Sequence, residues 1–303
     1  FCGSALFYTP LSHVIFIQQA KQNFAGTFYA SLVQKIIPFG YISYVFLADS
    51  DLSLVSLALY QLLGYFVAIA VALPFSEKRD FKFSSSDSYV VDLFNFGKFT
   101  LGTNICSMVN KNIGEWIIGG VLGVGAVAIY NPAMRISSLV EIPLSTTAQI
   151  MYPELIKRLK KQGVKGISLL YQKSIGVVVL CIFPMVVLSW LYADEIVVFV
   201  AGEQYRESAG LLKIAMLGGL FLPFVRQFGV LLNAMGKMNW NFYFMLSVTI
   251  VSGVLSYFMI SVMGLDGAVY SYLIISFLAA VVTFIVLKFS LGIDFVKSFR
   301  SVR

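Results

Sequence analysis

The sequence has little charge and almost no histidine. Only 12% of its 303 residues are charged, whereas 58% are hydrophobic and the mean hydropathy is +0.84. Ordinary soluble domains carry about 25% charged residues, so this composition indicates a polytopic membrane protein. The single histidine, His13, excludes a histidine-rich metal site and most histidine-based catalysis. We therefore expect no metal, no cofactor and no enzymatic activity.

Cysteine is also scarce. Cys2, Cys106 and Cys181 fall in apolar segments, and they are odd in number and widely spaced. This pattern predicts neither a disulfide framework nor a cysteine metal site.

Nine apolar segments are long enough to cross a bilayer. A span through ~30 Å of hydrocarbon needs about 20 residues, and it must be helical because an unpaired backbone cannot face lipid. The chain lacks the short alternating segments of a membrane β-barrel. The sequence thus predicts an all-α polytopic membrane protein with spans at roughly 1–20, 25–47, 53–75, 95–121, 124–152, 167–191, 209–235, 239–262 and 266–289.

The loops between these spans alternate in charge. Basic residues lie near 21, 76–92, 157–165 and 237 and in the tail from 297, whereas acidic residues lie near 49–51, 194–207 and 266. The positive-inside rule places the basic loops and the C-terminus on the cytoplasmic side of the membrane. The net charge of +7 is thereby explained by topology, and no nucleic-acid partner is expected.

An internal repeat is suggested by the layout of the spans. A shift of 214 residues aligns 6–75 with 220–289 without a gap, and each copy holds three spans with a polar cluster in the first. The spans between 93 and 191 have no earlier partner. We therefore predict a six-plus-six arrangement in which three spans precede Phe1. Residues 1–92 would be the last three helices of the first lobe and the linker, and 93–303 the second lobe and tail.

Six prolines lie well inside spans, where each removes a backbone hydrogen bond and can kink its helix. They are Pro10, Pro38, Pro132, Pro143, Pro184 and Pro223.

Basic residues outnumber acidic residues inside the spans. The acids are Glu115 and Glu141; the bases are Lys35, Lys98, Lys111, Arg135, Lys173, Lys213 and Arg226. A charge at the centre of a span costs about 2.5–3.5 kcal/mol on insertion scales. Lys98, Lys173 and Lys213 lie near span ends, where their ammonium groups can reach the interface. The other four bases lie deeper and require a protein or water environment.

Lys111 and Glu115 are four residues apart and share a helix face, which Asn104 and Met108 continue. Lys111 could therefore form an internal ion pair with Glu115 or be free for a substrate. Arg135 and Glu141 are six residues apart and less well aligned.

The surplus of bases predicts an anion-binding interior, since the guanidinium fork suits phosphate oxygens. Amides nearby could bind sugar hydroxyls or could join helices; Arg226 and Asn233, seven apart, again share one face. The candidate substrate pathway comprises Lys35, Asn104, Lys111, Glu115, Arg135, Glu141, Arg226 and Asn233.

Residues 110–159 carry a family resemblance. "WIIGGVLG", "VGAVAIYNPAMRI" and "YPELIKRL" resemble motifs of bacterial polysaccharide (O-antigen type) flippases in the multidrug/oligosaccharidyl-lipid/polysaccharide exporter superfamily. The loop at 197–214 resembles the family's connection between its ninth and tenth helices. The resemblance implies two six-helix lobes, of which this chain holds helices four to twelve. It also implies flipping of an undecaprenyl-pyrophosphate-linked oligosaccharide, in a pathway with glycosyltransferases and a polymerase.

One position departs from the family pattern. Many members carry aspartate where this chain has Gly114, and Glu115 follows instead. Three alternative functions stay open: a multidrug exporter of the same fold, a flippase for a peptidoglycan lipid precursor, and a polytopic membrane enzyme. The basic interior disfavours export of cationic drugs, and the short outer loops disfavour an enzyme.

Overall fold

The computed structural model of the protein describes residues 2–20, 24–48, 53–75 and 87–290. Within these ranges the chain forms eleven α-helices and no strand, so the predicted all-α class is confirmed. Short 3₁₀ turns occur at Leu73–Phe75, Ser138–Val140 and Glu203–Tyr205. The helices are α1 (Cys2–Ala20), α2 (Phe24–Leu47), α3 (Leu54–Ala72), α4 (Asp87–Val121), α5 (Val124–Ser137), α6 (Glu141–Leu191), α7 (Ala193–Ala201), α8 (Ser208–Gly219), α9 (Leu222–Ala234), α10 (Met238–Met263) and α11 (Leu265–Ser290).

Several helices have the length and composition of membrane spans. Among the described residues, five helices are long and apolar enough to cross a bilayer, and α8 with α9 would make a sixth. The five lie at Ala25–Leu47, Leu54–Phe75, Gly166–Leu191, Met238–Met263 and Leu265–Phe289. The chain is therefore a multi-pass membrane protein. The predicted spans in α1, in α4 and in α5 with the start of α6 are helical but fall short of this apolar criterion.

The predicted span 124–152 is not one continuous α-helix. It comprises α5, the 3₁₀ turn at Ser138–Val140 and the beginning of α6. Pro143 has no N–H to donate to the carbonyl of Leu139, four residues earlier, and this explains the loss of regular α-helix at the turn. Helix α6 is itself interrupted at Gly163, whose φ of 64° and ψ of −157° are not helical. The predicted span 167–191 is its second part.

The predicted span 209–235 is also interrupted. Helices α8 and α9 meet at an angle of 41°, and Pro223 lies at the beginning of α9. The amides of Leu220 and Phe221 bond to the carbonyls of Leu217 and Gly218, which tightens the end of α8 into i→i−3 bonds. Pro223 cannot donate to the carbonyl of Gly219, so the α-helical ladder stops there. The kink expected at this proline is confirmed.

The helices divide into two compact units, residues 1–86 and 87–303. The sequence-based boundary was placed after residue 92, within α4. In the first unit, α1 and α2 both pack on α3 around a small apolar core. The buried side chain of Gln18 donates from Nε2 to the Ala72 carbonyl over 2.8 Å. This bond ties the end of α1 to the end of α3.

The second unit contains two apolar cores. One is formed by α4, α5, α6, α8 and α11, with Leu212, Ala215 and Ile182 fully buried at its centre. The other lies between α6, α9 and α11 and is centred on Tyr171 and Phe228. Helices α6 and α11 contribute to both cores. They pack with the short helix α8 in the first core and with the short helix α9 in the second.

Helices α4 and α10 run parallel and pack closely. The Thr249 hydroxyl donates to the Cys106 carbonyl over 3.1 Å, and the Phe242 ring lies 2.6 Å from where a Cβ would project at Gly102. Because α10 covers this side of α4, the opposite side, which holds the charged residues, is left open.

The segment 192–207 joins α6 to α8 and carries four acidic residues. Its helix α7 buries Ala193 and Val197, while Phe199 is exposed. The Lys213 ammonium lies 3.9 Å from the Asp194 carboxylate. We call this end of the second unit the acidic side.

The internal repeat stays a prediction, because the junction between α1 and α2 lies outside the described residues.

Candidate functional site

The predicted site residues centre on an ion pair between α4 and α6. The Lys111 ammonium lies 3.0 Å from both carboxylate oxygens of Glu141. The two residues are 30 positions apart, so the intervening α5 brings them together. Their side chains are 56% and 52% exposed. A charged pair is therefore displayed on the surface of an otherwise apolar helical unit.

Lys111 lies well inside α4, ten residues before the end of the helix at Val121. At about 1.5 Å per residue this is roughly 15 Å along the helix axis. Asn104 and Met108, predicted to share its face, are exposed in the same way. We call Asn104, Met108, Lys111 and Glu141 the polar face of the second unit.

Lys111 does not form the i,i+4 ion pair with Glu115 that the sequence left as one of two possibilities. Lys111 bonds to Glu141, and Glu115 makes no ion pair with any residue that the structure describes. Glu115 is half-buried and interacts electrostatically with the phenol of Tyr130 on α5. The side chain of Lys111 has turned toward α6 because a second carboxylate is available there. Helical spacing alone cannot reveal such a partner on another helix.

Two tyrosines lie near these carboxylates, and the sequence did not predict their role. Tyr130 lies beside Glu115, and Tyr272 of α11 lies within electrostatic range of both Glu141 and Tyr130. The Tyr272 hydroxyl also hydrogen-bonds to Ser276. Their phenols form a polar layer behind the two carboxylates. The only sequence signal was tyrosine within apolar spans, which is common and carries little information.

Gly114 permits this arrangement. A Cβ added at Gly114 would lie 2.9 Å from the Tyr130 hydroxyl oxygen, which is closer than ordinary packing. The glycine therefore lets α5 approach α4 next to Glu115. Here the departure from the family pattern has a structural consequence, since an aspartate at this position would occupy the place of the tyrosine hydroxyl.

Arg135 lies in the last turn of α5 and is exposed. Its guanidinium makes no ion pair or hydrogen bond with the residues that the structure describes, and the six-residue spacing from Glu141 does not bring the two charges together. The Ser138 hydroxyl donates to the backbone carbonyl of Arg135 over 2.7 Å. Among the described residues, Arg135 is thus a cation without a counter-ion.

Arg226 lies in the second turn of α9, after the bend, and is also exposed. It has no ionic partner in the described part of the chain. Asn233 instead accepts a hydrogen bond of 3.1 Å from the Asn241 amide, which links α9 to α10. Asn233 therefore joins two helices, which is one of the two roles that the sequence analysis gives for the amides.

Gln227, beside Arg226, is fully buried, and neither its amide nitrogen nor its amide oxygen has a hydrogen-bond partner among the described residues. No contact places Arg226 or Asn233 beside the Lys111–Glu141 pair.

Lys35 belongs to the first unit. It is exposed on α2 and has no ionic partner within the ranges that the structure describes. Those ranges also contain no cluster of three or more residues able to hold a metal ion. An apolar groove between α6 and α8, lined by Trp190 and Leu217, contains none of the predicted site residues.

A known protein family matches this chain. The profile of a family described as polysaccharide biosynthesis protein matches residues 4–210, more than half of the sequence. The chain belongs to this family. The resemblance drawn from residues 110–159 is thereby confirmed.

Two curated relatives are similar over part of the chain. The teichuronic acid biosynthesis protein TuaB of Bacillus subtilis (strain 168) is 23% identical over 163 residues, which are 54% of this chain and 33% of that protein. The lipopolysaccharide biosynthesis protein WzxC of Escherichia coli (strain K12) is 22% identical over 234 residues, 72% of this chain and 47% of that protein. The chain spans less than half of the length of either relative.

The fold has a counterpart among solved structures. An outward-facing multidrug resistance MATE family transporter of the MOP superfamily matches with a TM-score of 0.79 and 16% identity. The match covers 92% of this chain and 65% of the transporter. The exporter fold predicted from the sequence is confirmed. At this identity, the likeness extends to the fold and not to the cargo.

Proposed function

We propose that the protein flips an undecaprenyl-pyrophosphate-linked oligosaccharide across the bacterial inner membrane for surface polysaccharide synthesis. The observation that carries this proposal is the exposed charge on the second unit. Lys111 and Glu141 are about half exposed, Lys111 lies ten residues before the end of α4, and the cations of Arg135 and Arg226 have no counter-ion among the described residues.

Such charges require water or protein beside them. A charged group facing hydrocarbon costs about 2.5–3.5 kcal/mol even on the lowest scales. The exposed surface of α10 has a different character, with Val254 and Phe258 exposed to 69% and 61%. We infer that the apolar surface faces lipid and that the polar face lines a hydrated pathway.

The charges predicted to lie deep in the second unit favour an anion. Of these, the Lys111–Glu141 pair is internally neutral, which leaves Arg135 and Arg226 against Glu115. Guanidinium groups bind phosphate oxygens through paired hydrogen bonds. A pyrophosphate head group supplies such oxygens, and the exposed amide of Asn104 can bind a sugar hydroxyl. A cationic drug would meet repulsion here, so the multidrug fold of the structural relative does not by itself assign the cargo.

The remaining features of the proposal follow from the topology and the family. The basic loops and the C-terminus lie in the cytoplasm, where glycosyltransferases assemble the cargo on its lipid carrier, and a polymerase acts on the flipped product. The protein performs no covalent chemistry in this scheme and needs no cofactor. The names of the relatives, for teichuronic acid and lipopolysaccharide synthesis, support a polysaccharide pathway.

Replacing Arg226 by alanine tests the function. Arg226→Ala should abolish surface polysaccharide and weaken binding of undecaprenyl pyrophosphate by about tenfold or more, because charge-assisted hydrogen bonds contribute about 1.5–3 kcal/mol. Export is measured by surface polysaccharide in the producing bacterium, and binding is measured on the full-length protein in nanodiscs.

The matched control is Arg206→Ala. Arg206 is also exposed, but it binds Glu203 over 2.8 Å in the loop on the acidic side. Both variants must reach the membrane in wild-type amount, as measured by immunoblot. Normal polysaccharide and normal binding with Arg226→Ala would contradict the proposal.

A further inference from the structure

The Lys111–Glu141 pair combines close geometry with high exposure. The ammonium contacts both oxygens of the carboxylate at 3.0 Å, yet about half of each side chain remains accessible. Interactions of this exposed type change an equilibrium constant only by a factor of about five or less. The pair is therefore strong enough to be formed at rest and weak enough to be opened by a competing anion.

The pair also joins helices that pack mainly on other partners. Helix α4 packs on α10 and α5, whereas α6 packs on α9 and α8. Glu141 begins α6 immediately after the 3₁₀ turn at Ser138–Val140, where the α-helical ladder is interrupted. A carboxylate at such a junction can move without breaking a regular helix. The ion pair can therefore open, so that Lys111 binds another anion in place of Glu141.

We propose that Glu141 is an exchangeable internal counter-ion of Lys111, which the phosphate of the cargo displaces. This inference rests on the function proposed above. At rest the carboxylate occupies the ammonium, so the deep cation is neutralised without substrate. A pyrophosphate carries more negative charge than a carboxylate and attracts Lys111 more strongly at the same distance. Lys111 then binds the head group, and Glu141 turns away from it.

The neighbouring charges support exchange. Glu141 is also within electrostatic range of the Tyr272 phenol, and Arg135 lies six residues before it with no ionic partner among the described residues. Arg135 is thus the cation nearest to the displaced carboxylate in sequence. Glu115, the other acid, neutralises no described cation and does not take part in the exchange.

The exchange is tested by binding of undecaprenyl pyrophosphate to the full-length protein in nanodiscs of zwitterionic lipid, with undecaprenol as the probe without a phosphate. Glu141→Gln keeps the shape of the side chain and removes its charge, so Lys111 is released. We expect Glu141→Gln to tighten pyrophosphate binding by about two- to fivefold, the range that an exposed pair allows. Binding of undecaprenol should not change.

A double-mutant cycle separates exchange from general repulsion. Lys111→Gln should weaken binding, and adding Glu141→Gln to Lys111→Gln should give no further gain, because no ammonium remains to be released. Glu207→Gln is the matched control: it removes an exposed carboxylate on the acidic side that has no ionic partner among the described residues, and it should leave the affinity within about twofold of wild type. Glu141→Asp, which keeps the charge but shortens the side chain, should tighten binding less than Glu141→Gln and serves in its place if the latter does not fold.

Each outcome decides one question. Equal binding of the pyrophosphate and undecaprenol by the wild type would overturn the proposed function and this inference with it. Preference for the pyrophosphate, with unchanged or weaker binding by Glu141→Gln, would overturn the exchange alone. An equal gain from Glu141→Gln in the Lys111→Gln protein, or from Glu207→Gln, would show simple repulsion and would also overturn it.

Discussion

At the scale of single residues, position along a helix distinguishes Lys111 from other paired bases. Lys213 lies 3.9 Å from Asp194 at the acidic side, and Arg158 bonds to Glu154 over 2.8 Å in the first part of α6. Lys111 is equally well paired, but it lies about ten residues from the nearest helix end. The proposal that Lys111 is a pathway residue rests on this position and on its exposure, rather than on the absence of a partner.

The contact between Gly114 and Tyr130 gives a prediction at this scale. Alanine in place of glycine usually stabilises a helix by about 0.5–1 kcal/mol. At Gly114 the new methyl group would lie 2.9 Å from the Tyr130 hydroxyl oxygen, so Gly114→Ala should lower the melting temperature in detergent. In the Tyr130→Phe protein the nearest remaining atom is 3.6 Å away, and the same substitution should be neutral or stabilising.

Gly120→Ala is the control for this cycle, because nothing lies within 4 Å of its Cβ position on the same helix. An identical change in melting temperature from Gly114→Ala in both tyrosine and phenylalanine proteins would contradict the packing described here.

Residue types and helical spacing predicted part of this site. Asn104, Met108 and Lys111 share an exposed face as the spacing of α4 required. The partner of Lys111 could not be predicted, since Glu141 approaches only after α5 and a 3₁₀ turn have reversed the chain. Tyr130 and Tyr272 were missed for the same reason: their positions depend on the packing of α5 and α11.

At the scale of helices, interruptions are placed by proline and glycine. Pro143 and Pro223 follow the breaks before α6 and α9, so the sequence indicated where regular helix would fail. It did not indicate that two predicted spans would each become separate helices, because a proline can kink a helix without dividing it. The outcome depends on how the flanking residues pack. At Gly219, beside the second break, an added Cβ would lie 3.4 Å from the side chain of Val140.

The break in α6 at Gly163 gives a prediction at this scale. Its φ of 64° with ψ of −157° is a conformation that residues with a Cβ avoid, at a cost of about 1–3 kcal/mol. Gly163→Ala should therefore lower the melting temperature in detergent. Gly176→Ala, in the regular second part of α6 with nothing within 4 Å of its Cβ position, should leave it unchanged or raise it. A higher melting temperature for Gly163→Ala would show that α6 is continuous.

At the scale of the whole molecule, composition and loop charge predicted the class, and the motifs at 110–159 predicted the family. Both predictions are confirmed, by the helical fold and by the family match over residues 4–210. The fold and the family do not identify the cargo, because relatives of one fold carry different substrates. The proposed cargo depends on a few charges, of which Arg135 and Arg226 count most because neither has an ionic partner among the described residues.

The proposed function requires that the polar face of the second unit lines water and not lipid. Labelling with a membrane-impermeant thiol reagent measures this, in a protein whose Cys2, Cys106 and Cys181 are replaced by alanine. Asn104→Cys and Met108→Cys lie on the polar face, and Val254→Cys and Phe258→Cys lie on the exposed apolar surface of α10. Met108 and Val254 have similar exposures, 66% and 69%, so surface area alone does not distinguish them.

Labelling needs the thiolate, which forms only where water reaches the side chain. We predict rapid labelling at 104 and 108, slowed by undecaprenyl pyrophosphate, and almost no labelling at 254 and 258. Equally slow labelling at all four positions would contradict the account.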